Sequence, residues 1–413
     1  MPGLRSVAAL AGAIGTFGAA DAITSATASL FLADAVHATP LQIGLFFVAR
    51  AVIAVGVNLT AGSLSDRLPD RRVLLGAAGL AGAIGAVCLA VLRGYAAVLV
   101  TGTVFLGIGG TSFFQLFACA KELADARGRA VTGFTSAMRA VFSAAWVIGP
   151  PFGFYLLTRY GFGPMYLATC GLFLVTAALG RRALPAAPAG PGPAGTPGQV
   201  GARGPRRTCA ELAAMFGGMA TDTRLLLAAI VVLGTAAQMY GIDFALYVTK
   251  YLHLQVTLVG WVAGLSAALE IPVMIAVGRA ADRLGKLRVV IVAGFGAILF
   301  YCLLPLSSTA PALLGLQFLN ASWMAVTLSI PMVMVQQETP GWAGAASALY
   351  STAFTFAALV AGALTGLTAA AVGFRNVFWI CAGLAAVATA LLGIRVALGS
   401  RQPAPMAAAP DPR

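Results

Sequence analysis

The chain of 413 residues is 60% hydrophobic and only 9% charged, whereas a typical soluble domain carries about 25% charged residues. Its 26 basic and 13 acidic side chains are too few to coat a soluble protein of this size, which excludes water-soluble enzymes and disordered proteins. The net charge of +13 does not indicate nucleic-acid binding, because the basic residues stand singly or in short runs between apolar stretches. Such long apolar runs are typical of proteins whose solvent is the lipid bilayer.

Twelve apolar runs are long enough to cross a bilayer as helices, which takes about 20 residues each. The spans must be helical because unpaired backbone amides are costly in hydrocarbon, so the predicted fold class is an all-α membrane protein. The spans are predicted at 7–33, 41–64, 73–92, 96–120, 132–157, 162–180, 223–248, 255–278, 288–307, 309–335, 343–370 and 374–396.

The chain divides between the sixth and seventh runs. Residues 181–222 are rich in Ala, Pro and Gly from Pro185 to Pro205, which predicts a cytoplasmic, largely flexible linker that buries no core. We expect residues 1–180 and 223–400 to form an N-terminal and a C-terminal six-helix bundle, followed by a disordered cytoplasmic tail at 401–413.

The positions of the basic residues predict the orientation of the chain. With the N-terminus in the cytoplasm, Arg50 and Arg139 fall within spans and 20 of the 26 basic residues fall on the cytoplasmic side. The positive-inside rule therefore favours cytoplasmic N- and C-termini. The other basic residues lie outside: Arg93, Arg159, Lys250 and Arg375.

A short motif of the form G-x-x-x-D-R occurs twice, each time at the end of the second span of a six-span half. The first copy begins at Gly62 and the second at Gly278, 216 residues later. Two parallel six-helix repeats are the simplest account of this spacing. The residues of the two copies and their basic neighbours are Gly62, Asp66, Arg67, Arg71, Arg72, Gly278, Asp282, Arg283 and Lys286.

The doubled pattern resembles the major facilitator superfamily, whose hallmark is a G-x-x-x-D-R-x-G-R-R loop between spans two and three. The first copy departs from it, because Pro69-Asp70 replaces the glycine and moves Arg71-Arg72 one residue on. The resemblance implies the major facilitator fold, with twelve helices in two six-helix pseudo-repeats. It also implies that these charges latch the two halves together on the cytoplasmic side in one state. The alternative is that the arginines only determine topology.

Several longer stretches resemble the bacterial sugar efflux transporter family within that superfamily. The resemblance implies export of sugars such as lactose, glucose and alkyl-thiogalactosides in exchange for protons, by a monomer in the bacterial plasma membrane. The stretches are Ser65-Asp66-Arg67 with Asp70-Arg71-Arg72, Gln115-Leu116-Phe117-Ala118 with Lys121-Glu122 and Ala124-Asp125, Arg139-Ala140, Ala145-Trp146-Val147-Ile148-Gly149-Pro150-Pro151, Met165-Tyr166-Leu167, Leu269-Glu270-Ile271-Pro272 and Asp282-Arg283-Leu284-Gly285-Lys286.

Charges inside spans are functional candidates, since each costs at least about 2.5–3.5 kcal/mol at the bilayer centre. Burial favours the neutral acid and a nearby guanidinium favours the anion. We therefore favour Asp21 and Glu270 as acids that take up and release a proton, with Arg50 and Arg139 as their partners. The alternative is permanent salt bridges. Asp243 is ambiguous, because water from the outer mouth can reach its half of span seven. Asp34 is expected to be a solvated or capping residue.

Recognition of a sugar needs hydrogen-bonding groups together with an aromatic face. Each polar or aromatic span residue that suits this role has an alternative as an interhelical hydrogen bond or a lipid-facing aromatic. The cavity candidates are Asn58, Gln115, Trp146, Gln238, Tyr240, Gln317, Asn320 and Trp323.

Span five contains Gly149-Pro150-Pro151-Phe152-Gly153, which resembles the G-P motif of exporters and antiporters in the superfamily. Prolines remove backbone donors and bend a helix, and glycines let a neighbouring helix pack closely. We expect the motif to shape the interface between the halves. An ordinary membrane-helix kink is the alternative.

Other classes of function find little support in the sequence. Only His37 and His253 supply imidazole, so no histidine metal site is expected, and no G-x-x-x-x-G-K-[ST] loop for ATP is present. We expect a transporter and not an enzyme, without a cofactor, with the proton gradient as its energy source. The alternatives are efflux of amphiphilic drugs, which favours an apolar aromatic cavity, a non-transporting sensor or intramembrane enzyme, and a passive scaffold.

Overall fold

The computed structural model describes residues 2–65, 71–125, 131–183, 219–338 and 343–399. Within these ranges the chain is almost entirely helical. A π-helical turn, Tyr247–Tyr251, follows the eighth helix, and a 3-10 turn, Leu304–Leu306, follows the tenth. The α-helices are α1 (Pro2–Asp34), α2 (Pro40–Ser65), α3 (Arg71–Val91), α4 (Tyr95–Gly110), α5 (Ser112–Asp125), α6 (Val131–Tyr160), α7 (Phe162–Ala183), α8 (Thr221–Leu246), α9 (Val256–Leu284), α10 (Lys286–Leu303), α11 (Ala310–Glu338), α12 (Ala343–Val372) and α13 (Phe374–Gly399).

Twelve segments of the described residues are long and apolar enough to cross a membrane, which confirms the number of predicted spans. The fourth span combines α4 and α5, and the expected single helix is divided at Thr111. Glycine is a poor helix former, and Gly109-Gly110 precede the break. The Thr111 hydroxyl then donates to the Ile108 carbonyl at 2.6 Å, a local bond that competes with the regular helix.

The halves, α1–α7 and α8–α13, repeat each other with the same offset as the sequence motif. Helix α2 begins at Pro40 and α9 at Val256, 216 residues later. His37 and His253, also 216 apart, are the described non-glycine residues with positive φ, 56° and 54°. Positive φ is uncommon outside glycine. Its recurrence at both positions shows that the two repeats share their backbone path as well as a motif.

Two equivalent helix pairs join the halves, α2 with α12 and α6 with α9, and α1 contacts α8 between them. Inside each half the first helix packs against the last, α1 against α7 and α8 against α13. The boundary between the halves is therefore formed by helices related by the repeat. Because α1 and α8 meet between the two pairs, their inward-facing residues lie near the centre of the molecule.

The bundle has two faces, here called the short-loop face and the linker face. Residues 35–39, 92–94, 252–255 and 307–309 connect helices at the short-loop face. The end of α7, the start of α8 and the turn at Gly285 belong to the linker face. Helix α7 continues to Ala183 and α8 begins at Thr221, so each helix extends slightly into the segment expected to be linker.

The halves approach each other closely near the short-loop face. A methyl group at Gly44 would lie 2.5 Å from the Gly362 carbonyl oxygen. At the equivalent place of the other pair, a methyl group at Gly260 would lie 2.9 Å from the Pro150 carbonyl oxygen. Only glycine allows backbones to come this near. The short-loop face is thus closed between the halves.

Candidate functional site

Asp21 and Arg50 form an ion pair at the centre of the N-terminal half. Arg50 Nη2 lies 3.7 Å from Asp21 Oδ1, with side chains 21% and 24% exposed. Asp21 is on α1, which contacts the other half, and Arg50 is on α2. The structure thus brings together one acid and one base of the predicted set, each partly exposed.

Aromatic rings cluster among α1, α5 and α6 of the N-terminal half. Phe142 stacks near Phe17 at 6.3 Å and meets Phe113 edge-on at 5.2 Å. The Trp146 ring lies 6.4 Å from Phe142, and its buried Nε1 has no hydrogen-bond partner among the described residues. Gln115, one of the cavity candidates, is half-buried on α5. The N-terminal half therefore contains an aromatic wall on α1, α5 and α6.

The C-terminal half offers a hydrogen-bonded polar network instead. Asn320 Nδ2 donates to Gln317 Oε1 at 3.0 Å and to Ser266 Oγ at 3.1 Å. The Tyr240 hydroxyl donates to the same Gln317 oxygen at 3.4 Å, and Gln317 Nε2 donates to the Leu313 carbonyl. Helices α8, α9 and α11 meet in this network. The buried Asn320 Oδ1 has no partner among the described residues.

The remaining cavity candidates are placed differently. Trp323 is 1% exposed and packs inside the C-terminal half, with its ring 5.7 Å from Tyr301. Gln238 is exposed on α8. Asn58 lies in α2, and its side chain falls outside what the structure describes.

Glu270 and Arg139 do not pair in this conformation. Glu270 is half-buried on α9, one turn beyond Ser266, and interacts electrostatically with Tyr240. Arg139 is exposed on α6. Neither forms an ion pair with another described residue. Of the acid–base pairs expected from the sequence, the described residues form only Asp21 with Arg50 in this conformation.

Asp243 is fully buried on α8, with 0% of its surface exposed. Neither carboxylate oxygen has a hydrogen-bond partner among the described residues. The idea that water from the outer mouth reaches this residue does not hold in this conformation, because α8 packs against α12 and α13 here.

The two copies of the repeated motif are described unequally. Asp66 and Arg67 lie outside the described residues, and Gly62, Arg71 and Arg72 lie in helices without described side chains. In the second copy, Asp282 and Arg283 are exposed and Gly278 has open space around it. Lys286 Nζ donates to Gln337 Oε1 at 2.6 Å, linking α10 to α11. A cleft of about 470 Å³ at this face is lined by Ala276, Arg279, Ala280, Arg283 and Leu284.

The span-five motif lies at the boundary on two sides. Helix α6 continues through Pro150 and Pro151 without interruption. Gly149 and Gly153 face α1, where added methyl groups would meet Ala22 at 3.0 Å and Ile23 at 2.9 Å. Pro151 faces α9 of the other half, against Gly264. The motif thus positions α6 simultaneously against its own half and against the opposite one.

One interaction between the halves was missed by the sequence reasoning. Lys250 forms an ion pair with Asp34 at the short-loop face, although Asp34 was expected to be solvated or a cap. The two residues are 216 apart, so they are equivalent positions of the two repeats. Opposite charges at equivalent helix ends, combined with the repeat offset, were the signal that could have identified the pair.

Comparison with known proteins decides the family. The family model of the Major Facilitator Superfamily matches residues 10–242 and 225–412. The chain belongs to this superfamily. Membership confirms the predicted fold class of twelve helices in two six-helix pseudo-repeats, and identifies the protein as a multi-pass membrane transporter of a small molecule and not an enzyme.

Several named proteins are similar in sequence to most of this chain. It is 34% identical to "Sugar efflux transporter A" of Escherichia coli (strain K12), covering 90% of this chain and 91% of that protein. It is 35% identical to "Sugar efflux transporter A" of Dickeya chrysanthemi, covering 96% and 97%. It is 34% identical to "Sugar efflux transporter B" of Salmonella typhimurium, covering 88% of each. The expected resemblance to this family is confirmed.

Solved structures of other transporters share the fold at low identity. The nucleoside transporter NupG superposes with a TM-score of 0.78 at 11% identity, covering 96% of this chain and 99% of NupG. The peptide transporter POT, as a variant in complex with sulfate, superposes with a TM-score of 0.71 at 13% identity, covering 96% and 94%. These likenesses concern the fold.

Proposed function

We propose that this protein exports sugars or related small polar molecules from a bacterial cell across its plasma membrane, in exchange for protons, by alternating access. The observation that carries the proposal is the hydrogen-bonded polar network of Tyr240, Gln317, Asn320 and Ser266 in the C-terminal half, together with the aromatic rings of the N-terminal half. A sugar presents hydroxyl groups and an apolar C–H surface, which suit these two sides. The 34–35% identity to proteins named sugar efflux transporters supports the same substrate class.

The Asp21–Arg50 pair is the proposed coupling element of the N-terminal half. Protonation of Asp21 removes its attraction to Arg50, which then becomes free to pair with another acid or to donate to substrate. Loss of the proton restores the pair. Because both side chains are partly exposed, the exchange needs no unfolding of α1 or α2. Glu270 with Arg139 remains the second proposed pair, for a conformation other than the present one.

The transport cycle follows from rocking of the two halves about the site between them. In the present conformation the short-loop face is closed by the glycine contacts of α2 with α12 and of α9 with α6. We propose that the bundles of residues 1–180 and 223–400 are the moving bodies, joined by the 181–222 linker; residues 184–218 and the 401–413 tail lie outside the described residues. We propose that the repeated motif latches them at the linker face in the opposite state.

The proposed orientation places the linker face and both termini in the cytoplasm, and the protein acts as a monomer. Single cysteines at Arg93 and Arg288, treated with a membrane-impermeant maleimide in intact cells, test the orientation. We expect labelling at position 93 and protection at position 288, with the wild-type chain giving the background. Labelling at 288 with protection at 93 would reverse the proposed topology.

Efflux of amphiphilic molecules is a second candidate function, favoured by the ring cluster of Phe17, Phe113, Phe142 and Trp146. An apolar aromatic wall binds flat hydrophobic ligands without needing hydrogen bonds. In that case the buried polar network of the C-terminal half serves helix packing.

Transport in proteoliposomes with an imposed pH gradient separates the two functions. The substrates are radiolabelled lactose, glucose and a methyl-thiogalactoside, with ethidium as an amphiphilic cation. We expect accumulation of at least one sugar that collapses when a protonophore is added. Ethidium transport without sugar transport would favour the second function, and sugar transport insensitive to the protonophore would remove proton coupling.

A further inference from the structure

Helix α9 has an exposed side that takes no part in the boundary or in the polar network. Gly264 packs closely against α6, and Ser266 accepts a hydrogen bond from Asn320 of α11, so two sides of the helix are covered by other helices. Trp261 and Leu265 lie on a third side and are exposed. In a membrane-spanning helix, an exposed apolar side is the surface that contacts lipid.

Arg279 and Arg283 continue this exposed side toward the linker face. They follow Trp261 by 18 and 22 residues, so both lie within about 40° of its direction around the helix and about 27 and 33 Å from it along the axis. The hydrocarbon core of a bilayer is about 30 Å thick, and tryptophan is enriched at membrane interfaces. With Trp261 at one interface, the two guanidinium groups lie at the other, at the level of the lipid headgroups.

The two guanidinium groups are not engaged by the protein. Arg279 and Arg283 are exposed, and neither forms a hydrogen bond or an ion pair with another residue of the ranges that the structure describes. Asp282 is exposed as well and pairs with neither of them, while Glu338, an acid at the end of α11, is held by Arg395. Like charges four residues apart on a helix repel each other, so an anion between the two arginines stabilises this end of α9.

The cleft at this place combines cationic and apolar surface. It has a volume of about 470 Å³, and the arginines share it with Ala276, Ala280 and Leu284. Guanidinium groups bind phosphate oxygens through paired N–H bonds, and the alanines leave room beside them because their side chains are small. Leu284 is exposed and apolar. A ligand that matches these surfaces has a phosphate anion attached to an apolar body.

We propose that this cleft binds the headgroup of an anionic phospholipid from the leaflet at the linker face, with its phosphodiester between Arg279 and Arg283. The acyl chains extend from there toward the bilayer centre past Ile275, which is exposed one turn before Arg279. Cationic pockets beside membrane helices are suited to anionic headgroups. The charge of the arginines selects an anionic lipid, and the adjoining apolar surface selects a lipid over a soluble phosphate ion. Binding of this lipid is independent of the molecule that the protein transports.

Lipid binding by the purified full-length chain tests the site. The delipidated protein in detergent is mixed with equal amounts of dioleoyl-phosphatidylglycerol and dioleoyl-phosphatidylethanolamine, and native mass spectrometry measures which lipid is bound. We expect the wild-type chain to prefer phosphatidylglycerol. In Arg279→Gln/Arg283→Gln its affinity should fall about 30-fold, since each arginine near an anionic lipid contributes about fivefold. Wild-type affinity in this variant overturns the proposal.

A matched variant separates a defined site from general attraction to a cationic face. Arg181→Gln/Arg182→Gln removes the same charge from exposed positions at the end of α7, also at the linker face. We expect this variant to bind phosphatidylglycerol within about twofold of the wild-type affinity, because charges outside a site act only through screened attraction. Equal losses in the two double variants overturn the site.

Photochemical crosslinking locates the lipid on the unaltered chain, so it decides the proposal even if the variants fold poorly. A phosphatidylglycerol with a diazirine close to its headgroup is irradiated with the wild-type protein, which is then digested and mapped by mass spectrometry. We expect crosslinks within residues 276–284 that disappear with excess unlabelled phosphatidylglycerol. Crosslinks spread equally over α7 and α9 contradict the site. Inorganic phosphate in large excess should not displace the lipid, and displacement would assign the cleft to a soluble anion instead.

Discussion

In the N-terminal half the acid Asp21 is 3.7 Å from a guanidinium and a quarter exposed. The C-terminal half buries Asp243 completely, and among the described residues its carboxylate has no hydrogen-bond or ion-pair partner. The repeat makes the contrast sharper, because Arg50 and Ser266 stand 216 residues apart at equivalent positions. Where one half has a base that pairs with an acid, the other has a hydroxyl that accepts from Asn320.

We propose that one backbone plan supports two chemical tasks here. A partly solvated ion pair can exchange partners during a conformational change, so the N-terminal half is suited to sensing charge. A neutral hydrogen-bonding network loses little on desolvation when its groups are satisfied, so the C-terminal half is suited to holding a polar ligand. The close helix contacts at the short-loop face are alike in both halves, since each depends on glycine at the fifth residue of α2 or α9.

The largest effect is expected where the halves are alike. In Gly44→Leu the new side chain meets the Gly362 carbonyl oxygen, 2.5 Å from the first added carbon, and the short-loop face cannot close. We expect sugar counterflow in proteoliposomes to fall about 100-fold, since forcing atoms into a packed contact costs about 3 kcal/mol. Gly171→Leu on α7, with open space around it, is the control. Equal rates in the two variants would show that this contact does not gate transport.

Arg50→Gln removes the cation that pairs with Asp21 in the N-terminal half. Asp21 then lacks a partner, which makes it similar to Asp243 in the C-terminal half. We expect the counterflow rate to fall roughly 10- to 50-fold. Breaking a fully buried ion pair costs about 3–5 kcal/mol, and the loss is smaller here because both side chains are partly exposed. The double variant Asp21→Asn/Arg50→Gln should transport better than Arg50→Gln alone. Strictly additive losses in the double-mutant cycle of counterflow rates would contradict a functional pair.

The polar network of the C-terminal half is tested by Gln317→Leu, which removes the acceptor shared by Tyr240 and Asn320. We expect the KM for sugar counterflow to rise about tenfold with a smaller change in maximal rate, since a lost hydrogen bond beside unsatisfied partners costs about 1–3 kcal/mol. Ser322→Ala is the control, because that hydroxyl donates to the Phe318 carbonyl of its own helix. An unchanged KM in Gln317→Leu would assign the network to helix packing.

The smallest effect is expected at the ion pair of Asp34 and Lys250, which joins equivalent ends of the two halves and is a third to nearly half exposed. Exposed pairs contribute little, so Lys250→Asp should shift the closed population of the short-loop face only about two- to fivefold. The exchange of both charges, Asp34→Lys/Lys250→Asp, should restore it. Spin-label distances between α2 and α12 measure the population. Failure of the exchanged pair to recover would mean that the residues act separately.

Much of the architecture could be predicted from the sequence because lipid imposes strict rules. Apolar length determines the number of spans, and two motif copies at an offset of 216 indicate the repeat. The break in the fourth span at Thr111 was not predicted, since a local side-chain bond after two glycines decides it. The functional roles of the site residues stay predictions, although the Asp21–Arg50 contact was anticipated as one of several pairings open to the spans.

Other features depended on which helix faces which neighbour. The sequence predicts that Asp243 and Asp34 are both acids near the outer side, yet Asp243 is fully buried in the C-terminal half and Asp34 bridges the halves. Ser266 and Tyr301 belong to no sequence motif, and only their contacts with Asn320 and Tyr240 in the folded chain identify them as candidates. The sequence by itself determined that the chain is a twelve-span membrane protein with a repeated half, because hydrophobic length and charge position act along the chain. Only the tertiary structure decided which buried acid has a partner, because pairing depends on helix rotation and packing between segments far apart in sequence.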